Sequence, residues 1–442
     1  MVREEGNGPT VAFATLGCKV NQSEAQALRE LFARHGYRTV PFEEEADVYV
    51  VHTCTVTHLS DRKCRQMIRR AVRRNPRATV VVSGCYAQVA PEEVAAIPGV
   101  KVVVGTRERH RLVELVEEAQ EQGPRVCVIP WQAPAPFEEL PLEAGERARA
   151  FVRVQEGCEE GCRYCIVPRA RGPVRTRPPE AAKAEVERLI RAGYREIVLT
   201  GVNLGAYGRE RGDLDLAGLL RELVRLPGLG RLRLSSVEPH YFTAELVRVL
   251  AGEEKICPHW HIPLQSGDAA TLARMGRRYT PDDYAALLAR LRQGRPEAAV
   301  TTDVIVGFPG EDEASFTRTL AFVEAMAFSR LHVFPYSPRR GTPAASFPDQ
   351  VAPAVKAERS RRLRALGRRL AVAYAGRFLG RRLTVVAERA VPGKRGFLTG
   401  HSENYLEVSF PGDPALLGRL VPVRILSRAG EGLLGEQAGA AY

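Results

Sequence analysis

The 442-residue chain has no run of about 18 apolar residues, which excludes a membrane-spanning helix. Its first residues, Met-Val-Arg-Glu-Glu-Gly-Asn-Gly, lack the apolar stretch of a signal peptide. These two absences predict a cytoplasmic protein, with no membrane partner, in a compartment where thiols stay reduced. Clustered cysteines there read as metal sites rather than disulfides. Histidine is scarce: there are nine, and none between residues 111 and 239. Acid is short as well, with 52 Asp and Glu against 64 Lys and Arg, a formal +12. That balance favours a polyanionic partner. Residues 352–442 alone carry 16 Lys and Arg against 7 Asp and Glu. A basic helix with a solvated face is the alternative reading of that stretch.

The most informative stretch is residues 155–172, Gln-Glu-Gly-Cys-Glu-Glu-Gly-Cys-Arg-Tyr-Cys-Ile-Val-Pro-Arg-Ala-Arg-Gly. Cys158, Cys162 and Cys165 are spaced C-x3-C-x2-C. Three thiolates hold three corners of a cubane iron–sulfur cluster and leave the fourth iron open. Gly157 and Gly161 let the loop fold round an inorganic core. A structural zinc site wants a fourth Cys or His at short spacing. Cys127 and Cys257 lie too far off in sequence, and no histidine is near. The order three-then-two, with the aromatic Tyr164 before the last cysteine, resembles the signature of the radical S-adenosylmethionine (SAM) enzymes. The resemblance implies a [4Fe-4S] cluster whose open iron binds SAM and supports its cleavage to a 5′-deoxyadenosyl radical.

Upstream, residues 10–17, 47–53 and 79–84 read as buried strands, each followed at once by a cysteine: Cys18, Cys54 and Cys85. Helical patterns lie at 22–35 and 59–74. A fourth strand at 100–104 and a helix at 107–121 follow. Continuous apolar strands alternating with helices imply a parallel sheet with both faces covered. Ligands bind at the carboxyl ends of such strands. The three cysteines are 36 and 31 residues apart, about one βαβ step, so the fold would gather them on one rim. That predicts a second three-cysteine cluster, the alternative being three unrelated buried thiols. Cys64 falls inside a helical pattern and is read as packed.

A three-cysteine domain ahead of a radical-SAM stretch resembles the methylthiotransferase family. Thr15-Leu16-Gly17-Cys18-Lys19-Val20-Asn21-Gln22 is most similar to the branch acting on N6-threonylcarbamoyladenosine in tRNA. The isopentenyladenosine branch has a Gly-Cys-Gln-Met-Asn form, and the branch acting on a ribosomal protein has Gly-Cys-Pro-Lys-Asn. The resemblance implies two [4Fe-4S] clusters, one on Cys158, Cys162 and Cys165, the other on Cys18, Cys54 and Cys85. It also implies SAM as cosubstrate, ANN-decoding tRNA as partner, and an electron donor such as flavodoxin or ferredoxin. It leaves the sulfur donor unknown. The rival reading outside enzymes is an RNA-binding protein with zinc in both sites.

Residues 118–148, with Pro124, Pro130, Pro134, Pro136 and Pro141, read as connecting chain, and Cys127 and Trp131 as packing residues. Strands are then expected at 150–155, 196–201, 231–236, 259–264, 300–306 and 330–335. Helices are expected at 179–192, 214–226, 242–251, 281–293 and 312–327. Six such steps imply a partial TIM-type (β/α)6 barrel with its site at the C-terminal strand ends. By resemblance, Thr200-Gly201 touches the SAM amino group, and Val304 to Glu311, including Gly307, approaches the adenine. Arg163, Arg169, Arg171, Arg175 and Arg177 suit phosphate or the SAM carboxylate, or else form solvated surface.

Residues 354–379 read as a basic helix with Leu363, Leu366 and Leu370 on one face. Segments at 383–386, 396–400, 405–410 and 420–426 then suggest a small antiparallel β-barrel. Its place and charge resemble the RNA-binding TRAM domain, in which Phe397 and Tyr405 would either stack on bases or fill the core. The whole reads as an α/β multidomain chain: residues 1–120, a linker over 121–147, a radical-SAM domain over 148–375 and TRAM over 376–442.

Overall fold

Strands rich in Val, buried at every position, need cover on two faces, and helices supply it. The computed structural model describes residues 8–131, 135–140 and 148–442. Pro134, Pro141 and the first seven residues lie outside them. The chain opens with β1 (Thr10–Thr15), α1 (Lys19–Arg34), β2 (Arg38–Val40), β3 (Val48–Thr53), α2 (His58–Arg74) and β4 (Thr79–Gly84). The short helices α3 (Cys85–Val89) and α4 (Pro91–Ala95), then β5 (Val100–Val104), α5 (Leu112–Gln122) and β6 (Arg125–Cys127) complete this unit. The six strands form one parallel sheet in the order β2-β1-β3-β4-β5-β6. Leu28, Phe32, Leu112 and Val116 cover one face; Ile68, Ala71, Tyr86 and Val94 cover the other.

The sequence reading lacked the short elements β2, α3 and α4, and two further details differ from it. The segment taken as connecting chain contributes β6, which pairs Val102 with Arg125 and Val104 with Cys127. Three residues beside Gly123 and Pro124 are too few to show a strand periodicity. The helix expected from 107 begins instead as a 3-10 turn at Arg109–Arg111.

The central unit runs β7 (Arg149–Glu156), α6 (Val167–Arg171), β8 (Arg175–Thr176), α7 (Pro179–Arg191), β9 (Glu196–Gly201), α8 (Leu216–Val224) and β10 (Arg231–Leu234). It continues through α9 (Ala244–Gly252), β11 (His259–His261), α10 (Ala269–Met275), α11 (Pro281–Gly294), β12 (Ala299–Val306), α12 (Glu313–Met326) and β13 (Arg330–Pro335). β7, β9 and β10 are parallel neighbours, as are β11, β12 and β13. Bridges at Leu232–Ile256 and Ser236–His261 join the two sets into an open six-stranded barrel. Alternation along each strand sorts the side chains. Val152, Val154, Ile197, Leu199, Leu232, Trp260 and Val304 join the apolar layer under the helices. The intervening residues turn inward, and apart from Phe151 and Val198 many are polar: Arg153, Gln155, Glu196, Arg233, His259, His261, Thr301 and Asp303.

The long helix α13 (Pro353–Gly376) inserts Leu363 and Leu366 into the barrel core. Its arginines are partly neutralised: Arg359 meets Glu311 at 2.7 Å, Arg362 meets Glu313 at 2.6 Å and Arg369 meets Glu324 at 2.8 Å. Then β14 (Arg382–Ala390), β15 (Phe397–Ser402), β16 (Glu407–Pro411), β17 (Leu420–Ala429) and β18 (Gly432–Gln437) close a small barrel in the order β14-β15-β16-β18-β17. The sequence reading lacked β18. Its Gly-Leu-Leu-Gly run has no β-branched residue, and a Cβ on Gly435 would come within 2.5 Å of the Arg424 carbonyl. β18 also runs parallel to β16, so the barrel is not purely antiparallel.

This barrel closes the N-terminal end of the larger one through ions. Glu196 accepts from Arg231 Nε at 2.5 Å and Arg233 Nε at 2.7 Å, with Arg149 at 3.8 Å. Arg231 also donates to the Thr384 and His401 carbonyls, and Arg233 to those of Ser402 and Glu403. No helix among the described residues is long and apolar enough to cross a membrane. Removing one partner of such a buried group costs about 3–5 kcal/mol, because the other charge is stranded. Arg233→Met should therefore lower the melting temperature and speed amide exchange over residues 397–411. The exposed Arg361→Met should stay within about 0.5 kcal/mol of the parent. An unchanged melt for Arg233→Met would mean that these ions do not join the two barrels.

Candidate functional site

Cys18, Cys54 and Cys85 each follow the last residues of β1, β3 and β4, which are adjacent in the sheet. The backbone there is tightly determined. Gly17 has φ +121, and a Cβ on it would meet Asn21 Nδ2 at 2.9 Å and Cys54 Cβ at 3.0 Å. Asn21 Nδ2 donates to the Leu16 carbonyl at 2.9 Å and the Thr53 carbonyl at 2.8 Å, fastening two of the three strand ends together. Its Oδ1 lies 3.7 Å from Cys18 Sγ. Cys18 is exposed, while Cys54 and Cys85 are buried. Cys64 is buried in the helix layer and donates to the Cys54 carbonyl at 3.3 Å.

Cys158, Cys162 and Cys165 occupy the loop after β7, all half-buried. Gly157 has φ +75 and packs so closely on the Pro173 carbonyl that a Cβ would fall 1.7 Å from it. Around the loop stands a polar shell. Arg277 Nη1 donates to Cys162 Sγ at 3.2 Å, and the same guanidinium is held by Glu238. Glu160 accepts from Tyr241 Oη at 2.7 Å and Asn203 Nδ2 at 3.2 Å. Burial pushes the Cys54, Cys158 and Cys165 thiols up to about 12. Free thiols in these positions hold their protons, so metal loading expels them.

Thr200 is fully buried and donates to the Val152 carbonyl at 3.3 Å; Gly201 packs on Gln155. Gln155 in turn accepts from the Asn203 amide at 2.6 Å and donates to the Gly157 carbonyl at 2.9 Å. This ties the second strand end to the cysteine loop. Gly307 has φ +71; its amide donates to Glu311 at 2.8 Å, and the stem of Lys356 fills the space beside it.

The arginines after the loop divide. Arg163 and Arg169 are exposed. Arg171, Arg175 and Arg177 are buried in ion pairs, which corrects their reading as a phosphate-binding or solvated stripe. Arg177 serves Glu185 at 2.7 Å and Glu139 at 2.5 Å. Arg175 reaches Glu156 at 2.8 Å and stacks on Trp131, 4.0 Å from its ring centre. Arg171 ends the short helix after the Cys158–Cys165 loop and reaches into the first cysteine group. It donates to Cys85 Sγ at 3.2 Å, Asn21 Oδ1 at 2.9 Å, Glu24 at 2.9 Å and Glu156 at 3.0 Å. Arg109 and Arg153 complete the cluster around the same two glutamates.

Comparison with known proteins gives this geometry a family. The family model described as "Uncharacterized protein family UPF0004" matches residues 10–105, and that of the Radical SAM superfamily matches residues 152–323. The threonylcarbamoyladenosine tRNA methylthiotransferase MtaB of Bacillus subtilis (strain 168) is 46% identical over 422 residues, 94% of either chain. The enzyme of that name from Thermotoga maritima is 36% identical over 96% of both. The tRNA-2-methylthio-N(6)-dimethylallyladenosine synthase of Moorella thermoacetica is 38% identical over 96% of this chain and 97% of its own. The chain belongs to the radical SAM tRNA methylthiotransferases.

The fold alone is shared with the radical SAM methyltransferase TsrM from Kitasatospora setae, at a TM-score of 0.57 and 18% identity over 77% of each chain. Radical SAM membership implies SAM and a [4Fe-4S] cluster, and the 158–165 loop suits one. It offers three thiols, and an arginine donates to one of the sulfurs. Among the described residues no three Cys, His, Asp or Glu side chains converge where one metal ion would sit. A cubane presents separate iron corners, so its thiolates need not converge on a point.

Sequence reasoning missed Asn21, Glu24, His52, Glu156 and Arg277. For His52 and Glu156 the available signal was a polar residue inside an apolar strand; Asn21 and Glu24 on α1 and Arg277 after α10 gave none. Burial alone would raise Glu156, but Arg153, Arg109 and Arg171 outweigh it and hold the carboxyl at about 2. Glu24 is also held well below the ordinary range, burial being outweighed by Arg109, Arg171 and His52. A carboxyl with a depressed folded pKa contributes stability that is complete above its unfolded pKa, about 4.3, and lost as pH falls toward the folded value. Trp131 reports on this junction, since its indole N–H bonds Thr106 on one side and the Ala170 carbonyl on the other, both at 3.2 Å. In metal-free Trp260→Phe protein, its emission should shift to the red between about pH 4.3 and the Glu156 value of about 2. A spectrum flat across that window would show that the carboxylates do not fasten the junction.

Proposed function

We propose that this protein converts N6-threonylcarbamoyladenosine beside the anticodon of ANN-decoding tRNA to its 2-methylthio derivative. Arg171 carries the reading: it ends α6, the short helix after the Cys158–Cys165 loop, and bonds Cys85 of the other cysteine group, while the next residue, Gly172, accepts from the Cys158 amide at 3.1 Å. Cys158, Cys162 and Cys165 would hold the SAM-binding cluster, and Cys18, Cys54 and Cys85 a second [4Fe-4S] cluster that carries or activates sulfur. With SAM bound, the group held by Cys158, Cys162 and Cys165 would supply one-electron chemistry, suited to an aryl C–H that acid–base chemistry cannot reach. The methyl group would come from a second SAM.

The chain's own residues do the positioning. Gln155 and Asn203 set the cysteine loop against the Thr200-Gly201 strand end, where the SAM amino group would lie, and the Gly307 segment would approach the adenine. Arg277 and Arg171 donate to one sulfur of each group and favour its anionic form. The C-terminal barrel, read as TRAM, would meet tRNA phosphates through Arg382, Arg395, Arg419, Arg424 and Arg428. The remaining partners of this reading are a flavodoxin- or ferredoxin-type reductant and a sulfur donor of unknown identity, in the cytoplasm.

The Moorella relative keeps the isopentenyladenosine branch as a second reading. Mass spectrometry of tRNA nucleosides from a deletion strain separates the two. Loss of 2-methylthio-N6-threonylcarbamoyladenosine is expected; loss of the isopentenyl derivative would overturn the branch. Anaerobic reconstitution should give about eight irons per chain, two cubanes' worth. Cys158→Ala should abolish SAM cleavage and Cys85→Ala the methylthio product. About four irons in the parent protein would remove the second cluster.

A further inference from the structure

The larger barrel's interior holds one cation whose counter-charge is not accounted for. Lys19 follows Cys18 directly and starts α1, yet its side chain reaches the floor supplied by the third domain. Its Nζ lies 5.4 Å from the ring centre of Tyr405, which is contributed by the C-terminal barrel. Tyr405 is not the exposed base-stacking residue considered from the sequence. It stacks on His259 at 4.5 Å and on His401 at 4.6 Å, with Arg233 and Arg149 over the same ring at 4.9 and 5.6 Å. Its backbone is left-handed at φ +65, a conformation that persists in a non-glycine residue only where the surroundings over-determine it.

Every arginine here has a carboxylate. Arg231 and Arg233 share Glu196, and Arg149 meets Glu388 at 3.1 Å. Asp303 is engaged by His261 at 3.2 Å. Among the described residues Lys19 has no ion pair or hydrogen bond; it faces the ring of Tyr405 and feels from farther off the charge of Glu196, which Arg231 and Arg233 already pair. A half-buried ammonium directly after Cys18 and beside two further cations, Arg233 and Arg149, favours an anion from outside the chain.

We infer that Lys19 is a specificity-determining residue that receives the carboxylate of the substrate's N6 substituent, with Tyr405 as the platform beneath it. The inference rests on the substrate reading above. C2 and the N6 arm lie on the same pyrimidine ring on either side of N1. A base that turns C2 toward the Cys18 sulfur therefore directs its N6 arm past the neighbouring side chain. A threonylcarbamoyl arm ends in a carboxylate, whereas an isopentenyl arm offers no charge. The residue beside the cysteine would thus separate the two substrates.

The test uses reconstituted full-length enzyme and anticodon stem-loop RNAs carrying threonylcarbamoyladenosine, its neutral methylamide or isopentenyladenosine. The parent enzyme should bind the acid at least about tenfold more tightly than the methylamide, the loss expected for one charged contact. Lys19→Met should bind both as the parent binds the methylamide, and Lys19→Arg should keep the preference. Equal affinity of the parent enzyme for acid and methylamide would overturn the inference, whatever the variant does, and so would a Lys19→Met enzyme that keeps the preference. Turnover of only the isopentenyl stem-loop would instead overturn the substrate reading.

Discussion

Two carboxylates buried among four arginines hold the molecule in register. Glu24 on α1 and Glu156 at the end of β7 are inaccessible to water, and Arg109, Arg153, Arg171 and Arg175 enclose them. Dehydrating such charges costs several kcal/mol per ion unless each finds its partners. The partners come from different places: Arg109 from the first domain, Arg153 from the barrel wall, Arg171 from the end of α6 and Arg175 from β8. Displacing one domain by an ångström or two would strand several charges at once. Ser23, which donates to the Phe151 carbonyl at 2.9 Å, adds a contact that tolerates no sliding of α1 along β7. On the far side Arg339 reaches Thr55 and Asp61, one and seven residues past Cys54.

The same logic explains the barrel's interior. Alternation puts the apolar residues of β7, β9, β10 and β12 under the helices and leaves charge facing inward. An inner wall of Arg, Glu, His and Asp cannot collapse on itself as an apolar core does. It holds its shape because each end is closed by another domain that supplies polar partners: α1 and the cysteine rims above, the 401–405 turn of the small barrel below. Arg153, Gln155, Glu196, Arg233 and His259 are buried there, and shielding from bulk water is what a reactive radical requires.

Much of this was legible in the sequence. The strands of both α/β units read as Val-rich runs, and cysteines at three strand ends stood out because a parallel sheet brings such ends to one rim. The C-x3-C-x2-C loop is local, so spacing alone exposed it. What stayed hidden was pairing across domains. Arg171 and Arg175 look like any arginines in a basic stretch, and only the fold sets them against Glu24 and Glu156, the first of them 147 residues away. Tyr405 looked like a core or base-stacking aromatic of a small barrel, because nothing in its neighbourhood records that the barrel docks against His259. β6 and β18 escaped for a simpler reason: one is three residues long, and the other is built of glycine and leucine.

The two cysteine groups, unrelated in sequence pattern, are served alike. Arg171 donates to Cys85 and is held by Glu24 and Glu156; Arg277 donates to Cys162 and is held by Glu238. A hydrogen bond to a cluster thiolate withdraws electron density and raises the reduction potential, so its geometry sets how readily an electron is accepted. A free guanidinium would swing between acceptors; one clamped by a carboxylate keeps a fixed direction. The difference lies in what holds each clamp. Arg277 answers only to the barrel, so its sulfur contact is independent of the other domains. Arg171 answers to the first domain and the barrel together, so the environment of Cys85 is complete only when the two are docked. Placing that dependence at the proposed sulfur-carrying group ties its readiness to the presence of the radical-generating one.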